Sequence, residues 1–247
     1  MSELTLTNRR FALGVGIFTD CLKYFAWWIV AGVIAAIAIP LIVGQWADVN
    51  MSGWYHAGNV AKIWTAILAG GFLYSLMPTL VAVGVTRREI AGAMGVFGLL
   101  WVLAFALLTL AGFLAEHTYY DLLGWSQGID QETPMPLETY GEVFAFILPY
   151  PLTYAVYFTG GALIGAGAYH SDAGWFMFIP VIPVGLALDD LLSKVDPWGP
   201  GWLVHFVTGR AEFSPWVAAA VAVAVLAFGV WATRRLIVNS PIRGKAA

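Results

Sequence analysis

The sequence predicts an all-α integral membrane protein with six transmembrane helices, and three observations carry that prediction. Of its 247 residues, 60% are hydrophobic and only 11% charged, with a mean hydropathy of +0.77. Such a chain would not stay soluble as a globule in water. Six stretches contain no Asp, Glu, Lys, Arg or His: Tyr24–Val43, Ile63–Val83, Ile90–Ala115, Val143–Ala168, Gly174–Leu188 and Ser214–Thr233. The cations between these stretches are unevenly distributed, as they are when alternate loops face opposite sides of a bilayer.

Taken in order, the elements begin with an amphipathic segment. Phe11, Val15, Phe18, Leu22 and Phe25 recur at steps of four and three, with Arg9, Thr19 and Lys23 off the stripe. This predicts a helix lying at the inner interface ahead of the first span. Gly14 and Gly16 argue against it, because glycine costs roughly 1 kcal/mol in a helix interior, and a loose cytoplasmic leader is the alternative. A cleaved signal peptide does not fit, since the first apolar run is long and starts only after Lys23.

The spans follow at 24–43, 63–83, 90–115, 143–168, 174–192 and 214–233. A helix crosses the hydrocarbon core with about 20 apolar residues, which five of the charge-free stretches supply outright. The fifth is short and holds Pro180 and Pro183, which predict a kink. Its full length takes in Leu191 and Leu192, drawing Asp189 and Asp190 towards the membrane. Between the fifth and sixth spans, Trp202–Val207 is apolar but too short to cross, so it reads as a re-entrant or interfacial outer stretch.

Orientation follows from the cations. With both termini cytoplasmic, the inner segments hold Arg9, Arg10, Lys23, Arg87, Arg88, Arg234, Arg235, Arg243 and Lys245, and the outer ones only Lys62, Lys194 and Arg210. That is a positive-inside bias. The inner turns around Gly84–Glu89 and Tyr169–Ala173 are short, and no repeat or linker divides the chain, so residues 1–247 read as one domain.

Much chemistry is excluded. No ionisable side chain lies well inside a charge-free span, where proton- or ion-coupled transporters and intramembrane hydrolases need one. The only Gly-Lys pair is Gly244-Lys245, which excludes a P-loop, and Gly14-x-Gly16 lacks the third glycine of a dinucleotide site. The single Cys21 excludes an intrachain disulfide and a Cys-rich metal site. Among weaker candidates, His170-Ser171-Asp172 reads as a polar inter-helix turn. Glu116-His117 reads as an ordinary interfacial pair, with metal binding or pH sensing as the alternative. Asn50-Met51-Ser52 fits the glycosylation triplet. Asp189-Asp190 is the best acidic catalytic or metal candidate, weighed against plain solvation of a helix end. Gly161 and Gly165, with Gly160 and Gly167 beside them, and Gly92, Gly95 and Gly98 form faces on which helices approach closely, within one subunit or across a dimer.

One stretch goes further. "GVTRREIAGAMGVFGLLWVLAFALLTLAGFLAE" (Gly84–Glu116) resembles the small permease subunits of type-2 ABC exporters, in which a Gly-x-Thr/Ser-Arg-Arg-Glu/Asp turn opens the third transmembrane helix. The six spans, the preceding amphipathic helix and the outer re-entrant stretch match the same architecture. The resemblance implies a short coupling helix at this turn, seated in a cleft of a separate P-loop ATPase subunit, with Thr86, Arg87, Arg88 and Glu89 at the contact. Arg9 and Arg10 correspond to a second contact by position only. ATP and Mg would belong to that partner, with no cofactor, metal or catalytic residue in this chain and no nucleic acid involved. The permease would act in a bacterial plasma membrane as a homodimer or a heterodimer with a second permease, and export a hydrophobic or amphipathic compound, a cargo suited to Trp125, Trp198 and Trp202. Two rivals remain: a membrane enzyme acting on lipid through Asp189, Asp190 and His205, and a structural or sensory component. The arginines also have a purely topological role, holding their turn inside.

Overall fold

The computed structural model describes residues 6–47, 49–129, 137–193 and 214–241. They form α1 (Leu6–Val43), α2 (Gly53–Ala82), α3 (Arg87–Leu123), α4 (Tyr140–Ile147), α5 (Tyr150–His170), a 3-10 segment (Asp172–Met177), α6 (Phe178–Ser193) and α7 (Pro215–Asn239). No strand occurs among the described residues, and six helical stretches are long and apolar enough to cross a membrane. The expected re-entrant stretch at Trp202–Val207 lies outside the described residues.

α1, α2, α3 and α7 run longer than the charge-free stretches, continuing through charged residues at their ends. α1 is continuous from Leu6, with no break between the expected interfacial segment and the first span. Gly14 marks where this segment meets α3. It is buried against α3, and a Cβ there would stand 2.7 Å from the Ala93 carbonyl oxygen and from Val96 Cβ. The glycine that weakens α1 as an isolated helix is the residue that lets it lie close on α3. Phe18 and Phe25 pack on the core, the first edge-on to Trp101 at 6.4 Å and the second to Trp64 at 5.1 Å, while Phe11 stays exposed.

The fourth span is two helices. Pro149 and Pro151 lack the backbone donors that would continue α4, so the chain turns at Leu148–Pro149 before α5 begins. The short fifth stretch gains its length from the 3-10 segment ahead of α6 and from the turn that carries Asp189 and Asp190. Pro183 sits inside α6, as the sequence requires.

α3 forms the centre of the bundle. Ile90, Met94, Phe97, Trp101, Phe105 and Phe113 are buried along it, and Trp101 stacks on Phe105 with ring centroids 4.7 Å apart. α1 covers one side of α3, while α2 and α5 pack tightly on each other and on α3. α6 and α7 pack against α5. The α2–α5 contact uses the small residues. Gly161 and Gly165 meet the backbone of Ala66 and Gly70, and a Cβ on Gly70 would stand 2.7 Å from the Gly161 carbonyl oxygen. These glycines therefore serve packing within one chain. Gly161→Val is expected to lower thermal stability in detergent by about 1–3 kcal/mol through overpacking, whereas Gly16→Val, with nothing within 4 Å of its Cβ position, should leave the melting temperature unchanged.

Candidate functional site

Three groups of polar residues stand out from the apolar bundle. The first is the turn between α2 and α3. Gly84 adopts φ +82, a left-handed conformation that only glycine takes at little cost, and it reverses the chain within Val83–Thr86. Thr86 then caps α3. Its hydroxyl accepts from the Glu89 amide at 3.3 Å, and the Glu89 carboxylate accepts from the Thr86 amide and hydroxyl, each at 2.8 Å. This is a complete capping box, with the carboxylate at the positive end of the α3 dipole. Arg9 Nη1 lies 3.7 Å from the other Glu89 oxygen, and the Arg10 stem lies over Gly92.

The structure thus brings together Arg9, Arg10 and the Gly84–Glu89 turn, which the sequence placed in separate elements. It also divides their roles. Glu89 is buried and engaged within the chain, while Thr86 and Arg88 are exposed and Arg87 half-buried. The turn contains no short helix of its own: α2 ends at Ala82 and α3 starts at Arg87, too few residues apart to form one. Any coupling piece in this chain is the first turn of α3 itself.

The second group lies at the opposite end, where α2 starts. Glu116, buried deep on α3, accepts hydrogen bonds from the Ser52 hydroxyl, the Gly53 amide (2.8 Å), the Trp54 amide (3.2 Å) and Gln127 Nε2 (2.9 Å). Its carboxylate satisfies donors at the N-terminus of α2, which have no partner within that helix. His117 turns instead to Gln127 Oε1 at 3.2 Å and to the Tyr140 ring. The interfacial pair expected for Glu116 and His117 is replaced by a buried cap. Ser52, the third residue of the glycosylation triplet, is buried as the cap of α2.

The third group corrects the solvated helix end expected for Asp189. Asp189 is buried, with Lys62 Nζ at 2.9 Å from one oxygen and 3.2 Å from the other, and it accepts from the Tyr157 hydroxyl at 3.0 Å. Lys62 also lies 5.0 Å from the centre of the Tyr150 ring. In the sequence Lys62 reads only as an outer-loop cation. A carboxylate held by an ammonium and a phenol is an ion pair, not the open base or metal ligand that the enzyme reading needs. Among the described residues, no group of three His, Cys, Asp or Glu side chains is placed to hold a metal. His205 lies outside them.

This pair lines one end of a cleft of about 1090 Å³ between α2, α5, α6 and α7. The cleft is lined mostly by apolar side chains and glycines, with Thr159 on the α5 wall and Asn59, Lys62, Tyr157 and Asp189 at one polar end. Asn59 is buried, yet its Nδ2 has no hydrogen-bond partner among the described residues. Ile63, Ile67 and Ile182 line the cleft while remaining 43%, 66% and 49% exposed, so it opens sideways towards the surface that would meet lipid. The sequence signal for the cleft was weak: glycines at 70, 71, 160, 161, 165, 185 and 229 belong to four helices far apart in the chain. No family model, no curated protein and no solved structure matches this chain.

Proposed function

We propose that this chain is the permease subunit of an ATP-driven type-2 ABC exporter, and that Arg87 and Arg88 at the α2–α3 turn receive a separate P-loop ATPase. The observation that carries this reading is the turn itself. A left-handed glycine and a complete capping box fix it, two arginines stand at its tip, and it continues without a break into the 37-residue helix at the centre of the bundle. A displacement at such a turn moves a stiff rod through the core, and cations at its tip pair with an acidic partner surface. The Arg9–Glu89 contact ties α1 to the start of α3, so the first and third spans would move together.

In this reading the turn faces the cytoplasm, as the positive-inside bias predicts, in a bacterial plasma membrane with both termini inside. The partner supplies ATP and Mg, two permeases pair, and ATPase closure shifts the pair between inward- and outward-facing states. The cargo is hydrophobic or amphipathic.

The test is affinity purification from the native membrane in mild detergent. An ATPase subunit is expected to co-purify in equal amount, and Arg87→Glu with Arg88→Glu is expected to lower its recovery at least tenfold, since like charges across an interface cost several kcal/mol. The double variant should keep its melting temperature, because neither arginine takes part in the capping box. Unchanged recovery would rule out docking at this turn.

A further inference from the structure

We propose that the cleft between α2, α5, α6 and α7 is a lipid-binding site, holding an acyl chain of a glycerolipid drawn sideways from the bilayer, with Asn59 donating to an ester carbonyl. Four observations converge on that occupant. The walls are apolar and the mouth, between Ile63, Ile67 and Ile182, faces outwards from the bundle. Asn59 offers a buried donor with no partner among the described residues at the polar end. An unsatisfied buried amide costs about 1–3 kcal/mol, so a ligand oxygen there removes a penalty as well as adding a bond.

The dimensions fit one leaflet. The lining runs from Asn59 to Gly71 on α2 and from Pro180 to Asp189 on α6, which is about 14–18 Å along the helix axes at 1.5 Å per residue. That is half of the ~30 Å hydrocarbon core. Lys62 and Asp189 stand immediately outside the charge-free stretches Ile63–Val83 and Gly174–Leu188. The polar end of the cleft therefore lies level with the glycerol esters when its apolar length lies among the chains.

Charge decides the head chemistry. Lys62 and Asp189 are paired with each other, so the polar end presents a neutral ion pair and an amide donor, not a net cation. Such a site recognises the ester and the chain and is indifferent to the charge of the headgroup. It needs no nucleotide and no ATPase, so it stands or falls apart from the exporter reading.

The experiment uses the delipidated full chain in a maltoside detergent, titrated separately with dioleoyl phosphatidylcholine and dioleoyl phosphatidylglycerol. Bound lipid is counted by native mass spectrometry. One lipid per chain is expected, with affinities for the two within about threefold, a difference well under 1.4 kcal/mol. Gly185→Leu and Gly71→Leu place side chains into cleft space that is open around both glycines. Each should weaken binding at least tenfold by taking the chain's contacts. Asn59→Leu should weaken it about fivefold, the loss of one hydrogen bond, and Gly16→Leu, on α1 away from the cleft, should change nothing. Thermal melting of each variant confirms that it is folded; if one glycine variant is not, the other decides. Full binding by a folded Gly185→Leu or Gly71→Leu would overturn the site. So would absence of bound lipid in the unmodified chain, and a preference of tenfold or more for the anionic lipid would overturn the neutral head chemistry.

Discussion

Asp189→Asn is expected to destabilise the chain by about 3–5 kcal/mol, because it leaves the Lys62 ammonium buried without its counter-charge. Lys62 Nζ has Asp189 as its only ionic partner among the described residues, and both side chains are almost wholly enclosed. Lys62→Met should be comparably harmful, because it leaves the buried Asp189 carboxylate without its counter-charge. At about 2–4 °C per kcal/mol for a domain of this size, either single change lowers the melting temperature by about 6–20 °C. The informative variant is the double one, Lys62→Met with Asp189→Leu. Replacing a buried ion pair by apolar groups of similar volume is often neutral, so the double variant should recover most of the loss. If single and double variants melt together with the unmodified chain, the pair does not pin α2 to α6.

Glu116→Ala is the second large effect, at the start of α2. It removes the acceptor of four donors at once: the Ser52 hydroxyl, the Gly53 and Trp54 amides and the Gln127 side-chain amide. Each buried donor left unmade costs about 1–3 kcal/mol. Even with partial rearrangement the total reaches several kcal/mol, enough to unfold a marginally stable chain. Glu116→Gln keeps one carbonyl acceptor but turns an amide towards donors, so it should fall between the two. Hydrogen exchange localises the effect: the amides of Gly53, Trp54 and Tyr55 should lose protection in Glu116→Ala before those at the Thr86 cap of α3. Loss of protection spread evenly over the bundle would mean that Glu116 does not specifically cap α2.

These two sites show where sequence and structure part company. Both carboxylates lie at the edge of a charge-free run, a position that in sequence reads as a solvated helix end. Lys62 lies at such an edge too, and 127 positions separate it from Asp189. Nothing in one sequence pairs them. The only local hint was that the fifth span needs Asp189 and Asp190 to reach full length, which brings a carboxylate to the membrane boundary where it requires a partner. For Glu116, no hint existed, since its donors come from the start of a different helix and from Gln127. The α2–α5 contact was half visible: Gly161-xxx-Gly165 was plain, while its counterpart Ala66-xxx-Gly70 went unremarked in a helix with many small residues.

The sequence by itself determined the number, order and approximate extent of the apolar helices and the short reversal around Gly84. These depend on local properties: the length of an apolar run and the conformational range of glycine. Tertiary structure alone decided that the segment before Lys23 joins the first span and lies on α3, that Arg9 meets Glu89, that Lys62 neutralises Asp189, and that four helices splay to leave a cleft with Asn59 at its end. Those outcomes depend on which helix faces meet. In an apolar bundle, that choice is made by small residues and a few polar partners far apart in the chain, whose matching is a property of the packed whole.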